Sequence, residues 1–295
     1  MGFIRANMIP ILKEHKRRPF SGKLLLLGQG DIYFSDNDYK QMAQMIGVSL
    51  DSSVTPGLSY KADFAAKGYL DTQSVFKRLG FSEVLALDYS DFEGADIIHD
   101  LNAPDIPEEF KQHFDVVIDH GTLEHVFHFP NALHAVFQFL KIGGRAITSS
   151  PSSGFFDHGF YMFQPTLFLD FYNANNWEIA SAQIVQFSFN QETEPCFFTD
   201  YYPGQFDSVG YGKMDAKLYS TICVATKMDQ TTGSVIPQQG WYSRQASWRP
   251  DAPVPASKIE PAPPMSRNDS SLLLSEVSHD NRSQIMKIKI QVNDE

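Results

Sequence analysis

The chain has 295 residues, room for one large domain or two small ones, and its 42% hydrophobic and 13% aromatic content supports a sizeable core. A net charge of −11 argues against an exposed nucleic-acid backbone as partner. The basic cluster from Lys13 to Arg18, with Lys23, reads as a solvated helix face. Two cysteines, Cys196 and Cys223, make no disulfide framework. There is no secretory leader and no apolar run near about 18 residues, which predicts a cytoplasmic chain that does not engage a membrane. Met-Gly at the start suggests acylation, but Ala6 stands where Ser or Thr is preferred, so that idea is dropped.

Residues 1–20 read as a helical lead-in, with Phe3, Ile4, Met8 and Ile11 apolar. Residues 21–230 read as one domain. Its first strand, Lys23 to Leu27, runs into Gly28-Gln29-Gly30-Asp31, a turn in which glycine lets backbone approach a ligand closely. A lid-like insertion at about 36–75 follows, with Tyr39, Met42, Met45 and Ile46 on one helix and Pro56-Gly57 in a turn. A helix over Ser74–Leu79 is closed by Gly80. Val84 to Leu87 is the second strand, and it ends in Asp88-Tyr89, where doubly wound folds place a carboxylate for ribose hydroxyls. A third strand over 95–102 ends in Asp100-Leu101-Asn102.

Val116-Val117-Ile118 is a strand buried on both faces. A polar turn follows, then Leu133, Val136, Phe137 and Leu140 form one apolar helix face that Gly143-Gly144 should stop. Arg145 to Thr148 is the fifth strand and Ser149 to Gly154 a loop at its end. Gln164-Pro165 opens a helix to about Tyr172, with Pro in its first turn. Trp177–Phe187 and Leu218–Thr226 read as an antiparallel terminal pair, with an aromatic insertion at about 190–213 between them. That insertion is equally suited to walling a pocket, to packing, or to contacting a second copy in a homodimer. Residues 231–249 are an extension. Six prolines between 250 and 264 make 250–295 read as a disordered tail, although Met286–Val292 alternates enough to add a strand.

The stretches FDVVIDHGTLEHV, ALHAVFQFLKIGG and LGFSEVLALDYSDFEGADIIHDLNAP together resemble class I S-adenosylmethionine (SAM)-dependent methyltransferases, an uncharacterised bacterial group with saccharide or secondary-metabolite links. The resemblance covers roughly residues 20–185. It implies an α/β fold, Rossmann-like, with a seven-stranded sheet, an antiparallel last strand and helices on both faces. It implies SAM as cofactor, held by Gly28, Gln29, Gly30, Asp88, Tyr89, Asp100, Leu101, Asn102, His120 and Gly121. Three departures stand out. Leu26 replaces the family's acidic residue, Ile32 its third glycine, and Ile142 a proline. The amino-acid end of the cofactor is then left to Asp31 or a backbone carbonyl, or is not held at all.

Methyl transfer to oxygen needs a proton acceptor, and imidazole is suited to that at neutral pH. His158 is the first choice and His125 the second. His120, Glu124 and His128 are spaced i, i+4, i+8 and would share a helix face, but Gly121 and Pro130 break such a helix, so no metal is expected. The expected partner is a small molecule, a sugar or secondary-metabolite intermediate. Two rival classes remain open at this stage. One is a non-catalytic scaffold of the same fold, motivated by Leu26 and Ile32. The other is a nicotinamide-dependent oxidoreductase, which lacks support from a third glycine or a Tyr-x-x-x-Lys.

Overall fold

The computed structural model describes residues 2–188, 190, 194–206, 210–240 and 285–288. In chain order the elements are β1 (Gly2–Phe3), α1 (Arg5–Arg17), β2 (Gly22–Leu27), β3 (Asp31–Ile32), α2 (Asp36–Ile46), α3 (Ala62–Ala65), α4 (Thr72–Lys77), β4 (Phe81–Asp88) and β5 (Ile97–Ile98). Then come β6 (Phe114–Asp119), α5 (Phe129–Phe139), β7 (Leu140–Ser153), α6 (Pro165–Ala174), β8 (Glu178–Phe187), β9 (Cys196–Asp200), β10 (Leu218–Thr226) and β11 (Ile285–Ile288).

The sheet runs β5-β4-β2-β6-β7-β10-β8-β9-β11, and β5 through β7 are parallel. Strand β10 lies antiparallel between β7 and β8. The first seven strands are the Rossmann-like sheet with one reversed strand, and β9 and β11 extend it. The order turns around between β2 and β6, and crevices for ligands open at such a point.

Strand β2 shows why a continuous apolar run is required. Leu24 and Leu26 join the core under α1, α2 and α4, while Leu25 and Leu27 join the core under α5 and α6. A strand covered by helices on both sides has no solvent face for a polar residue. Leu26 is only 1% exposed. A carboxylate at that position would be almost fully buried, which is costly without a partner and favours leucine there.

Four local expectations are revised. Helix α5 ends at Phe139 rather than at the glycine pair, and Leu140 already pairs with Phe114 of β6. Gly143, at φ +79°, instead turns the chain so that its N–H reaches Lys227 O at 2.7 Å. Residues 149–153 are strand, not loop, because β10 pairs Ser149, Ser150, Pro151 and Ser153. The third strand shrinks to Ile97–Ile98, beside Leu87 and Asp88. The basic cluster near Arg18 is not merely solvated. Lys16 Nζ donates to Ile46 O at 2.7 Å and Arg18 to Gly143 O at 2.7 Å, while the Lys13 ammonium lies 4.8 Å over Phe198.

Candidate functional site at the carboxyl edge

The glycine corner sits at the end of β2. Gly28 has φ +81°, a conformation costly for other residues. Its N–H donates to Leu87 O at 2.6 Å, and Gln29 N–H donates to Asp88 Oδ2 at 3.3 Å. Asp88 Oδ1 accepts from Tyr89 N–H at 2.7 Å, and the Tyr89 ring is 73% exposed at the rim. Asp88 is thus aimed across the corner by two backbone donors.

The next acid is fixed as firmly. Asp100 Oδ1 accepts from Asn102 N–H at 2.9 Å and from its side-chain amide at 2.8 Å, which hold the carboxyl below its ordinary range. Asn102 in turn takes His128 N–H at 2.9 Å and, on its carbonyl, the Asn131 amide at 2.7 Å. The adjoining Leu101 side chain is buried.

Asp119, at the end of β6, organises the turn that follows. Its Oδ1 accepts N–H bonds from Gly121, Thr122 and Leu123 at 3.4, 2.8 and 3.2 Å, and its Oδ2 accepts from Ser150 Oγ at 3.0 Å. Burial pushes this carboxyl up to about 6 against those four donors. Gly121 takes φ +110°. His120 is buried, stacked on Phe3 at 4.2 Å with a 17° tilt, and burial pushes its imidazole down to about 3. It is therefore neutral, and its Nδ1 has no hydrogen-bond partner.

Two contacts at the corner depart from a simple ligand cradle. Thr122 Oγ1 donates to Leu27 O at 2.6 Å and fills the space over Gly28, and a methyl on Gly30 would collide with His120 Nε2. Ile32 is buried in the core, because β3 pairs with β1 through Gly2↔Asp31 and Phe3↔Ile32. A third glycine has no role in that strand. Asp31 is tied to Lys61 at 2.7 Å, and Lys61 also reaches Glu93 at 2.9 Å, so this one ammonium joins the end of the corner to the loop after β4.

Beside the corner a cavity of about 390 Å³ opens between α1, the insertion and the ends of β7, β8 and β10. Its wall includes Gly2, Asn7, Tyr33, Tyr69, His120, Ser149, Phe155 and Phe187. His120 is the border between corner and cavity, while Asp88 and Asp100 stand outside the lining. Of the aromatic insertion, Asn190 lines this cavity, whereas Phe198 is buried in the core and Tyr201 stacks on Phe206. Sequence reasoning missed Tyr33, Tyr69 and Phe155; an aromatic in a loop carries no periodic signal.

His125 and His158, 33 positions apart in sequence, meet each other beside this cavity, outside its lining. Residues 123–125 form a single 3-10 turn, so the proposed i, i+4, i+8 face never forms. The loop after β7 is drawn onto that turn by Phe160 and Tyr161 N–H, which donate to Glu124 O at 2.8 and 3.2 Å. Gly159 permits the approach, since a methyl there would lie 2.9 Å from Glu124 O. The two imidazole rings are 5.0 Å apart, and His158 contacts Phe155 of the cavity wall at 5.7 Å. Burial lowers both imidazoles, leaving them unprotonated at neutral pH and able to accept a proton.

No family model and no curated protein matches this chain. Some solved structures are similar to this chain at low identity. A SAM-dependent methyltransferase of Thermotoga maritima shares 16% identity over 76% of this chain and 90% of its own, with TM-score 0.35. The 1,6-didemethyltoxoflavin-N1-methyltransferase of Burkholderia thailandensis, solved with that substrate and S-adenosylhomocysteine, shares 12% over 76% and 80%, with TM-score 0.39. Likeness at this level is one of fold. No helix among the described residues is long and apolar enough to cross a membrane.

Proposed function

We propose that this chain is a class I SAM-dependent methyltransferase acting at an oxygen of a small-molecule acceptor in the cytoplasm. The observation that carries the reading is Asp88, held by Gln29 N–H across the glycine corner, at the turnaround of the strand order. A carboxylate there suits two ribose hydroxyls, and Asp100 with buried Leu101 suits an adenine ring one strand further out. The orphaned Nδ1 of neutral His120 marks where a ligand's polar group is missing a partner. The residues fit the cofactor. SAM bound there supplies an electrophilic methyl group on a sulfonium.

The rest is done by the chain's own residues. The cavity, with Tyr33, Tyr69, Phe155 and Phe187 in its wall, aligns the acceptor and limits water, which matters for an in-line displacement. His158, with His125 behind it, accepts the acceptor's proton as the oxygen attacks. A sugar or secondary-metabolite intermediate fits the size of the cavity. A rival reading, a scaffold that has lost the cofactor, draws on Thr122 and His120 occupying the space over Gly28 and Gly30.

Calorimetric titration with SAM and S-adenosylhomocysteine separates the two. Micromolar binding is expected, weakened on the order of a hundredfold in Asp88→Ala, which removes two hydrogen bonds to a charged acceptor. A folded sample that binds neither compound overturns the methyltransferase reading in favour of the scaffold.

A further inference from the structure

Glu124 is fully buried, 0% exposed, and neither carboxylate oxygen has a hydrogen-bond partner. That is an expensive arrangement for an acid, and burial beside Asp119 pushes the carboxyl up to about 9. Its Oε1 instead faces two imidazoles: His158 Nε2 at 3.7 Å and His125 Nε2 at 3.9 Å, both too long for hydrogen bonds. His158 Nε2 is likewise buried without a partner. Among the described residues, Glu124, His125 and His158 are the group whose His, Cys, Asp or Glu donor atoms come within 4.8 Å of one another.

From this geometry we infer that Glu124, His125 and His158 form a binding site for a divalent transition-metal cation of the zinc, cobalt or manganese type. The donor set, two imidazoles and one carboxylate, suits such ions and leaves positions open for an outside ligand. With metal–ligand bonds of about 2.0–2.2 Å, tetrahedral donors stand roughly 3.4 Å apart. The two carboxylate–imidazole separations therefore need to close by only a few tenths of an ångström, and all the donor atoms already lie within 4.8 Å of one another. The site is held in advance, because the loop carrying His158 is bonded to the Glu124 carbonyl itself. One side is open, since the His125 and His158 side chains are 44% and 31% exposed.

This departs from the expectation of no metal, which tested a helical His120–Glu124–His128 face and not the trio that the loop brings together. Resting on the methyltransferase reading, the cation has a use. An acceptor hydroxyl in the open position would be held as its anion, its proton passing to water at the exposed side. With the cation bound, the imidazole nitrogens serve as its ligands, and the cation takes over the activation that His158 gives in the metal-free chain. Binding itself does not depend on that reading.

The test is titration of chelator-stripped full-length protein with CoCl₂, without SAM, followed by calorimetry and visible absorption, with ZnCl₂ as a check by thermal melting. One ion per chain at micromolar affinity or tighter is expected, with a raised melting midpoint. Glu124→Gln, His125→Gln and His158→Gln should each weaken binding at least tenfold, while His128→Gln, outside the trio, should not. Circular dichroism of each variant separates lost ligation from lost fold. No binding by the wild type overturns the inference, as does binding that survives in all three variants. Because no SAM is present, that failure would leave the methyltransferase reading standing, and failure to bind SAM would leave the metal site standing.

Discussion

Helix α1 is fixed to the sheet by a buried ion pair, and its energetics can be worked from the contacts. Arg145 Nη1 donates to Glu14 Oε1 at 2.8 Å and to Arg18 O at 2.6 Å, and Nη2 donates to Pro19 O at 3.3 Å. The guanidinium lies 4.5 Å over the Phe20 ring, and both side chains are 4% exposed. Removing one member of a buried pair usually costs about 3–5 kcal/mol, because a charge is left without compensation. In Glu14→Gln the amide oxygen can still accept one bond, and two carbonyls and a ring face remain. The expected cost is therefore below that range, about 1–2 kcal/mol. In Arg145→Met the Arg18 and Pro19 carbonyls, on exposed residues, lose their donor, at about 1–2 kcal/mol each, while Glu14 keeps Arg17 at 2.7 and 2.8 Å. The loss should reach about 2–4 kcal/mol. The double variant should cost at least about 1 kcal/mol less than the sum, since neither charge is then stranded. Urea unfolding at constant m-value measures all three. Additivity within about 0.5 kcal/mol would refute the pair as the anchor of α1.

Two further outcomes are expected. Gly30→Ala should destabilise by about 1–3 kcal/mol, because His120 is pinned under Phe3 and cannot yield. Placing the same change in a His120→Ala background should add much less, and an equal cost in both backgrounds would show that the collision is not the cause. The second concerns pH. The folded Asp119 carboxyl lies above its ordinary value of about 4, so the folded state binds the proton more tightly. Its share of stability is whole below pH ~4 and is lost as pH rises through about 6. Melting midpoints of wild type minus those of Asp119→Asn should fall across that window; a flat difference would contradict it.

The strands were legible wherever both faces are covered, as in Leu24–Leu27 and Val116–Ile118, because burial leaves an unbroken apolar run. The place of Asp88 at a strand end was legible from the strand itself, whereas Asp100 lies two residues past β5. What stayed hidden depended on distant pairing. Ser149–Ser153 has a loop's composition, yet β10 turns it into strand. The trio of Glu124, His125 and His158 requires the path of a loop that no local propensity encodes. Ile32 looked like a lost glycine until β1 supplied the strand it pairs with.

That pairing also has a practical side. Gly2 both lines the cavity and pairs with Asp31, and a side chain there would run into Asp31 and Tyr33. A larger residue at position 2 would therefore press on the mouth of the cavity and on the stacked Phe3 and His120, so the first turn of the chain and the ligand site cannot be altered independently.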